Sequence, residues 1–186
     1  RRRKGTEERR GKIVVSHSIE ERPDEARHRT ELGHWEADTV VGKTGSSCMI
    51  TLADRKSRFV LGKRIARKTA AEVEEGMIAL LITLPPELRR SVTPDRGKEF
   101  ASHPRVSAAL DGLPFYFPNP LAPWELGTNE NTNGLIREYC PKSVDMNSFD
   151  NSYFDEFILK LNLRPRKCLG WKSPSEVFFG LVLHLT

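Results

Sequence analysis

The sequence predicts a mixed α/β domain in which helices cover a central sheet. Three observations carry that expectation. Short apolar runs bounded by Gly and polar residues come first, at "HWEADTVVG", "SSCMITLAD" and "SRFVLGKRIA". Apolar residues at helical spacing follow, and from there helix and strand alternate. At 186 residues the chain is long enough for one domain with a substantial core, plus an arm.

Residues 1–30 are dominated by charge, with Ile13, Val14 and Val15 almost the only apolar positions, and read as a basic arm or linker ahead of a domain over 31–186. The three apolar runs then predict adjacent, antiparallel strands, the last two joined by the turn-like "DRKS". In "KTAAEVEEGMIALLITL" the spacing of Val73, Met77, Leu80, Leu81 and Leu84 predicts an amphipathic helix stopped by Pro85 and Pro86. "RRSVTPDRG" is a short strand ending in a turn, "KEFASHPRVSAAL" a helix interrupted at Pro104, and "LPFYFPN" a further strand. Helices are expected from about Asn147 to Leu163 and near Ser173 to Phe179.

A composition of 38% hydrophobic and 30% charged residues is globular, and no apolar run approaches the roughly 20 residues of a membrane span. The opening "RRRKGTEERRGK" is unlike a secretory signal, so a cytoplasmic location is expected. Cys48, Cys140 and Cys168 show no CxxC spacing and suggest neither a disulfide framework nor a zinc site. A net charge of +5 and a pI near 9.2 suit a polyanionic partner.

Three acids stand out by position. Asp38 lies inside the first strand, Asp95 ends a strand just before Arg96-Gly97, and Glu130 sits in the first turn of a helix rich in poor helix formers. On a helical wheel Glu130, Asn133, Gly134 and Arg137 share one side, and Thr132, Leu135, Ile136 and Tyr139 the other. Each acid alone has an ordinary reading: an Asx turn at Asp95, a helix-dipole contact at Glu130, an Arg partner for Asp38. Together they are the hard-oxygen set that a pair of divalent cations needs for in-line chemistry on a phosphodiester. His34 and His103 are given no metal role, since magnesium prefers oxygen.

The strings "RKGTEERRGKI", "HSIEERPDEARHRTELGHWEADTVVG", "TPDRGKEF", "PWELGTNENTNGLIREY" and "LNLRPRKCLGWKSPSEVF" run in order over nearly the whole chain. In these the chain resembles the catalytic half of bacterial transposases of the IS-thirty family. The resemblance implies a ribonuclease-H-like, retroviral-integrase-type fold with a mixed five-stranded sheet flanked by helices. It also implies an Asp, Asp, Glu triad at Asp38, Asp95 and Glu130, the last two with 34 residues between them. Two Mg2+ or Mn2+ ions are expected on that triad, with Asp38 bridging them. The implied activity is cleavage of DNA at transposon ends and strand transfer into target DNA, by a homo-oligomer assembled on DNA and associated with the bacterial nucleoid. The family's N-terminal helix-turn-helix region is expected to be missing ahead of Arg1. "NPLAPWELG" departs from the family pattern, placing Glu125 and Leu126 where Gln and Arg are usual.

DNA contacts are expected at Asn133 and Arg137 beside the triad, and at Arg164, Arg166, Lys167 and Lys172 in the loop "NLRPRKCLGWKSP". "RRRKGTEERRGK" either tracks DNA or only links, Thr128 or Asn129 caps the helix, and Trp124 is read as core. Two other classes fit the same residues: a metal-dependent nuclease without strand transfer, and a non-catalytic DNA-binding remnant.

Overall fold

The structure is a computed structural model describing residues 13–43, 45 and 47–181. The expected basic segment "RRRKGTEERRGK" lies outside the described residues. Its continuation does not behave as an arm. Ile13 and Val15 pack against the core, β1 (His17–Ser18) pairs with a later strand, and α1 (Asp24–His28) buries Ala26 completely. Few apolar side chains suffice here because the segment is held by polar contacts, including the Arg55 guanidinium donating to the Ala26 carbonyl at 2.8 Å.

Three consecutive strands follow as expected. β2 (His34–Val41) pairs antiparallel with β3 (Cys48–Asp54), and β3 with β4 (Val60–Ile65). Asp54 builds the β3–β4 turn, accepting from the Ser57 amide at 2.7 Å, the Ser57 hydroxyl at 2.6 Å and the Gly33 amide at 2.8 Å. α2 (Ala70–Leu81) is capped by the Thr69 hydroxyl and buries Val73, Met77 and Leu81. Gly76 lets it approach closely, since a Cβ there would lie 2.3 Å from Ile50 Cδ1.

β5 (Ser91–Pro94) then returns beside β2 and pairs parallel with it, giving the order β4-β3-β2-β5. α3 (His103–Ala109) starts at His103, so Pro104 sits in its first turn, where a missing amide is harmless, and does not interrupt it. β6 (Tyr116–Phe117) pairs parallel with β1, while Phe115 just before it bridges to Val92 of β5. The mixed sheet thus has four strands, not the expected five: beside β5 only the Val92–Phe115 bridge forms, because Pro114 and Pro118 bracket β6 and supply no amides, and β6 pairs with β1 as a separate two-stranded sheet.

The C-terminal part is helical: α4 (Gly127–Ile136), α5 (Asn151–Leu163) and α6 (Pro174–Phe179). α5 begins four residues later than the spacing suggested. Asp150 takes the Tyr153 amide as N-cap, and Met146–Ser148 forms a separate 3-10 turn.

Both faces of the sheet are covered, which is why every residue of β3 is buried. One core joins Trp35, Ala37, Ile50, Leu52 and Val92 to α2, α3 and Phe178. The other joins Val40 and Met49 to Ile136, Phe154, Phe157 and Leu161 of α4 and α5. Alternation along β2 therefore sends residues 35 and 37 to the first face and 36, 38 and 40 to the second.

Candidate active site

The parallel pairing of β2 with β5 sets the first two acids side by side. Its last paired residues are Ala37 and Pro94, so Asp38 and Asp95 are the next step on neighbouring strands. Asp38 accepts from the Thr39 amide at 2.6 Å and from Asn133 Nδ2 at 2.6 Å. Asp95 accepts from the Gly97 amide at 2.9 Å. Burial raises both carboxyls above the usual range; Asp95 reaches about 6, with the neighbouring Asp38 charge as the next cause.

Glu130 comes from α4, whose attachment explains its unusual composition. The helix has no side-chain N-cap, since Leu126 occupies that position. Its place is taken from outside by Glu36, which is fully buried on the same face of β2 as Asp38 and accepts the Asn129 amide at 2.8 Å. Asn129 Nδ2 donates to the Ala37 carbonyl at 2.9 Å, Asn133 to Asp38, and Arg137 to the carbonyls of Val41 at 2.8 Å and Cys140 at 3.2 Å. Side chains at 129, 133 and 137, one helical turn apart, stitch α4 along β2. Glu36 is itself neutralised by a buried ion pair with Arg55.

The buried stripe of α4 is therefore Thr128, Asn129, Thr132 and Ile136, with Leu135 only half-buried. Glu130 is exposed and lines an open cavity of about 430 Å³ with Gly127, Asn131, Gly134 and Leu135. Among the described residues no three His, Cys, Asp or Glu side chains are gathered as a metal-holding group. Asp38 and Asp95 are together, and Glu130 stands one turn from the residue that holds Asp38.

The expected DNA contacts divide. Arg137 is spent on backbone carbonyls, and Arg166 turns inward to the Leu161 carbonyl at 3.1 Å, its guanidinium lowered by burial. Asn133 is engaged with Asp38. Arg164 pairs with Glu138 at 2.9 Å, whereas Lys167 and Lys172 are exposed. Trp124, expected in the core, is 74% exposed in the 3-10 turn leading to α4. Glu125, at the departure from the family pattern, accepts from Asn119 and fastens that loop. His34 and His103 are buried, bonded to Ser91 and the Phe100 carbonyl, and burial lowers His34 to about 4.

Glu36, Lys68 and Glu99 belong to this region and were not singled out by sequence. Glu36 carries a readable signal, standing two residues before Asp38 and so on the same strand face. Glu99 and Lys68 carry none, because only the packing of α2 against the turn after β5 joins them.

No protein-family model matches the chain. The transposase for insertion sequence element IS1086 of Cupriavidus metallidurans is 42% identical over 185 residues, all of this chain and 54% of that protein. The InsI transposase for IS30A of Escherichia coli K12 is 42% identical over 165 residues, 89% of this chain and 43% of that protein. The transposase for IS4351 of Bacteroides fragilis is 37% identical over 173 residues, 93% of this chain and 52% of its own length. The chain thus spans about half the length of these relatives.

Among solved structures, the BIV integrase catalytic core superposes with a TM-score of 0.59 at 17% identity, covering 80% of this chain and 94% of that one. A chain of the simian T-cell lymphotropic virus intasome in complex with PP2A regulatory subunit B56 gamma superposes at 0.66 and 15% identity, covering 94% and 60%. These likenesses give the fold, which is ribonuclease-H-like as in integrase cores. On the sequence matches, the chain belongs to the IS30 (IS-thirty) family of insertion-sequence transposases.

Proposed function

We propose that this chain is the catalytic domain of a DNA transposase, a polynucleotidyl transferase that cuts DNA strands at transposon ends and joins the freed 3′ hydroxyl to target DNA. One observation carries the reading. Asp38 and Asp95 are held side by side at the ends of adjacent parallel strands, and Asp95 stays near 6 through burial and its neighbour's charge. Two carboxylates so placed are unfavourable for the fold unless something cationic answers them.

The residues present fit a hard divalent ion. The donors are oxygens, and beside Asp38 the buried Oδ1 of Asn133 has no hydrogen-bond partner. Asp38 and Asp95 would hold Mg2+ or Mn2+ first, with Glu130 completing a two-ion set from α4. Bound there, the ions would supply charge stabilisation at the phosphodiester and a more acidic nucleophile. The chain's own residues do the positioning. Thr39 and Asn133 fix the two oxygens of Asp38, Gly97 fixes Asp95, and the Glu36, Asn129 and Arg137 contacts set the helix that bears Glu130. Lys167 and Lys172 serve the DNA backbone, with Arg164 when released from Glu138. A homo-oligomer on DNA, acting in the cytoplasm at the nucleoid, belongs to the same proposal.

The test is cleavage and strand transfer of labelled transposon-end duplexes with Mg2+ by the parent, D38N, D95N and E130Q. All three variants should lose both steps while keeping fold and most DNA affinity; Mg2+-dependent cleavage retained by E130Q overturns the triad. The outward position of Glu130 favours one second reading, a DNA-binding remnant without turnover. Parent gel shifts that are the same with and without Mg2+, alongside no cleavage by the parent, would select it.

A further inference from the structure

Thr39 ties two carboxylates together. Its amide donates to Asp38, and its hydroxyl donates to Glu99 Oε1 at 3.0 Å. Glu99 lies in the 3-10 turn after Asp95, and its side chain is only 7% exposed. The chain before it is shaped to admit that side chain, since a Cβ on Gly97 would come within 2.3 Å of Glu99 Oε2. The same Oε1 takes the Lys68 ammonium at 2.6 Å.

Lys68 is placed as carefully as its partner. It is flanked by the cap of α2, where Glu72 accepts the Arg67 amide at 2.8 Å and the Thr69 hydroxyl accepts the Glu72 amide at 3.3 Å. Its side chain is 41% exposed, and its ammonium ends on the Glu99 carboxylate that Thr39 also holds. Its direct partner is Glu99, and its charge also reaches Asp38 and Asp95, as a smaller influence on each than burial. Glu99 in turn is a carboxylate that burial would make very unfavourable without this cation. Three acids and one fixed ammonium thus gather around Thr39 and the ends of β2 and β5, and Glu99 is the one of the three with an ion-pair partner.

We propose that Lys68 is a positioning residue of this acid cluster: fixed by the buried Glu99, its ammonium is a standing counter-charge to Asp38 and Asp95 and keeps Glu99 out of the metal-binding set. The inference rests on the reading of Asp38 and Asp95 as metal ligands. Lys68 makes no bond to the reacting atoms. It sets how strongly the two aspartates attract a cation and which carboxylates are available to it.

The experiment is a Mn2+ titration of the DNA-free protein by calorimetry, with thermal melts confirming that each variant is folded. K68M removes a like charge and releases Glu99, so Mn2+ binding tightens about tenfold. E99Q frees Lys68 to pair with Asp38 and Asp95, so binding weakens about tenfold. K68M/E99Q restores the cluster's net charge and returns to within about threefold of the parent, and K68R, which keeps the charge, binds as the parent does. A purely structural ion pair would lower the melting temperature in both single variants without moving Mn2+ affinity in opposite directions. Affinities of K68M and E99Q within twofold of the parent, or shifted the same way, overturn the inference. Should K68M not fold, E99Q and the double variant decide it alone, by weakening and by recovery. D38N separates the two levels. If it loses Mn2+ while K68M and E99Q stay at the parent value, only the role of Lys68 fails; if it binds Mn2+ like the parent, the metal reading itself is wrong and the inference falls with it.

Discussion

Replacing Asp95 by Asn should stabilise the metal-free protein while abolishing its chemistry. The Asp95 carboxyl is raised from an ordinary 3.8 to about 6 by burial and by Asp38. A raised acid prefers its neutral form in the fold. The native state therefore suffers nothing below about pH 3.8, loses stability progressively between 3.8 and 6, and carries the whole penalty above that. Two units correspond to about 3 kcal/mol, and allowing for partial exposure gives roughly 1 to 3 kcal/mol at pH 7.5. For a chain of this size that is a rise in Tm of about 3 to 10 °C. Asn keeps the oxygen that accepts the Gly97 amide, so the local turn survives. The assay is a thermal melt of parent and D95N without divalent ions, at pH 7.5 and pH 5. The gain should fall to about half at pH 5, where the parent's Asp95 is mostly protonated in the fold. Equal Tm values at pH 7.5, or a gain undiminished at pH 5, would refute the electrostatic reasoning.

Glu36→Ala strands the buried Arg55 and leaves the start of α4 without its acceptor, so chemical denaturation should show a loss of about 3 to 5 kcal/mol; a loss below 1 kcal/mol would mean α4 is held otherwise. Arg137→Ala should lower stability by about 1 to 2 kcal/mol through its lost carbonyl contacts, with DNA affinity in a gel shift changed less than about twofold. The reverse is expected of the double variant K167A/K172A, whose parent side chains are exposed: unchanged melting, weaker DNA binding, and a slope of log affinity against log salt reduced by about 2.

How legible the molecule was depends on the range of the interactions. The β2, β3 and β4 runs and α2 declare themselves because their apolar periodicity is local and their ends carry Gly, Pro or a capping Thr. Asp38 and Asp95 were also readable, since an acid inside an apolar strand and another at a strand's end are visible without the fold. α4 shows where this stops. Its wheel puts Ile136 on the packed side, where it is buried, but puts Asn133 and Arg137 on the side facing away, whereas both reach β2. In the fold those side chains are polar in order to reach the carbonyls and carboxylate of β2. Trp124 erred in the opposite sense, aromatic size being taken for burial. The segment 13–29 offers few apolar residues to read, and part of its attachment is polar, through the Arg55 bond to Ala26 and the pairing of β1 with β6. Lys68 and Glu99 are 31 residues apart in sequence and meet only after α2 packs.

The stitching of α4 to β2 works as a gauge of length. From Asn129 to Arg137 the helix climbs about 12 Å. From Ala37 to Val41 the strand advances about 13 Å. The two spans match, which is why three side chains can reach backbone or carboxylate partners along their whole shared length. One residue added to β2 within this interval would turn Asp38 to the opposite face of the sheet, and one added to α4 would swing Glu130 by about 100° relative to Asn133. Insertions should therefore be excluded from the short stretches 37–41 and 129–137. The spacing that governs the site is thus the one within each of these stretches, more than the number of residues separating the acids.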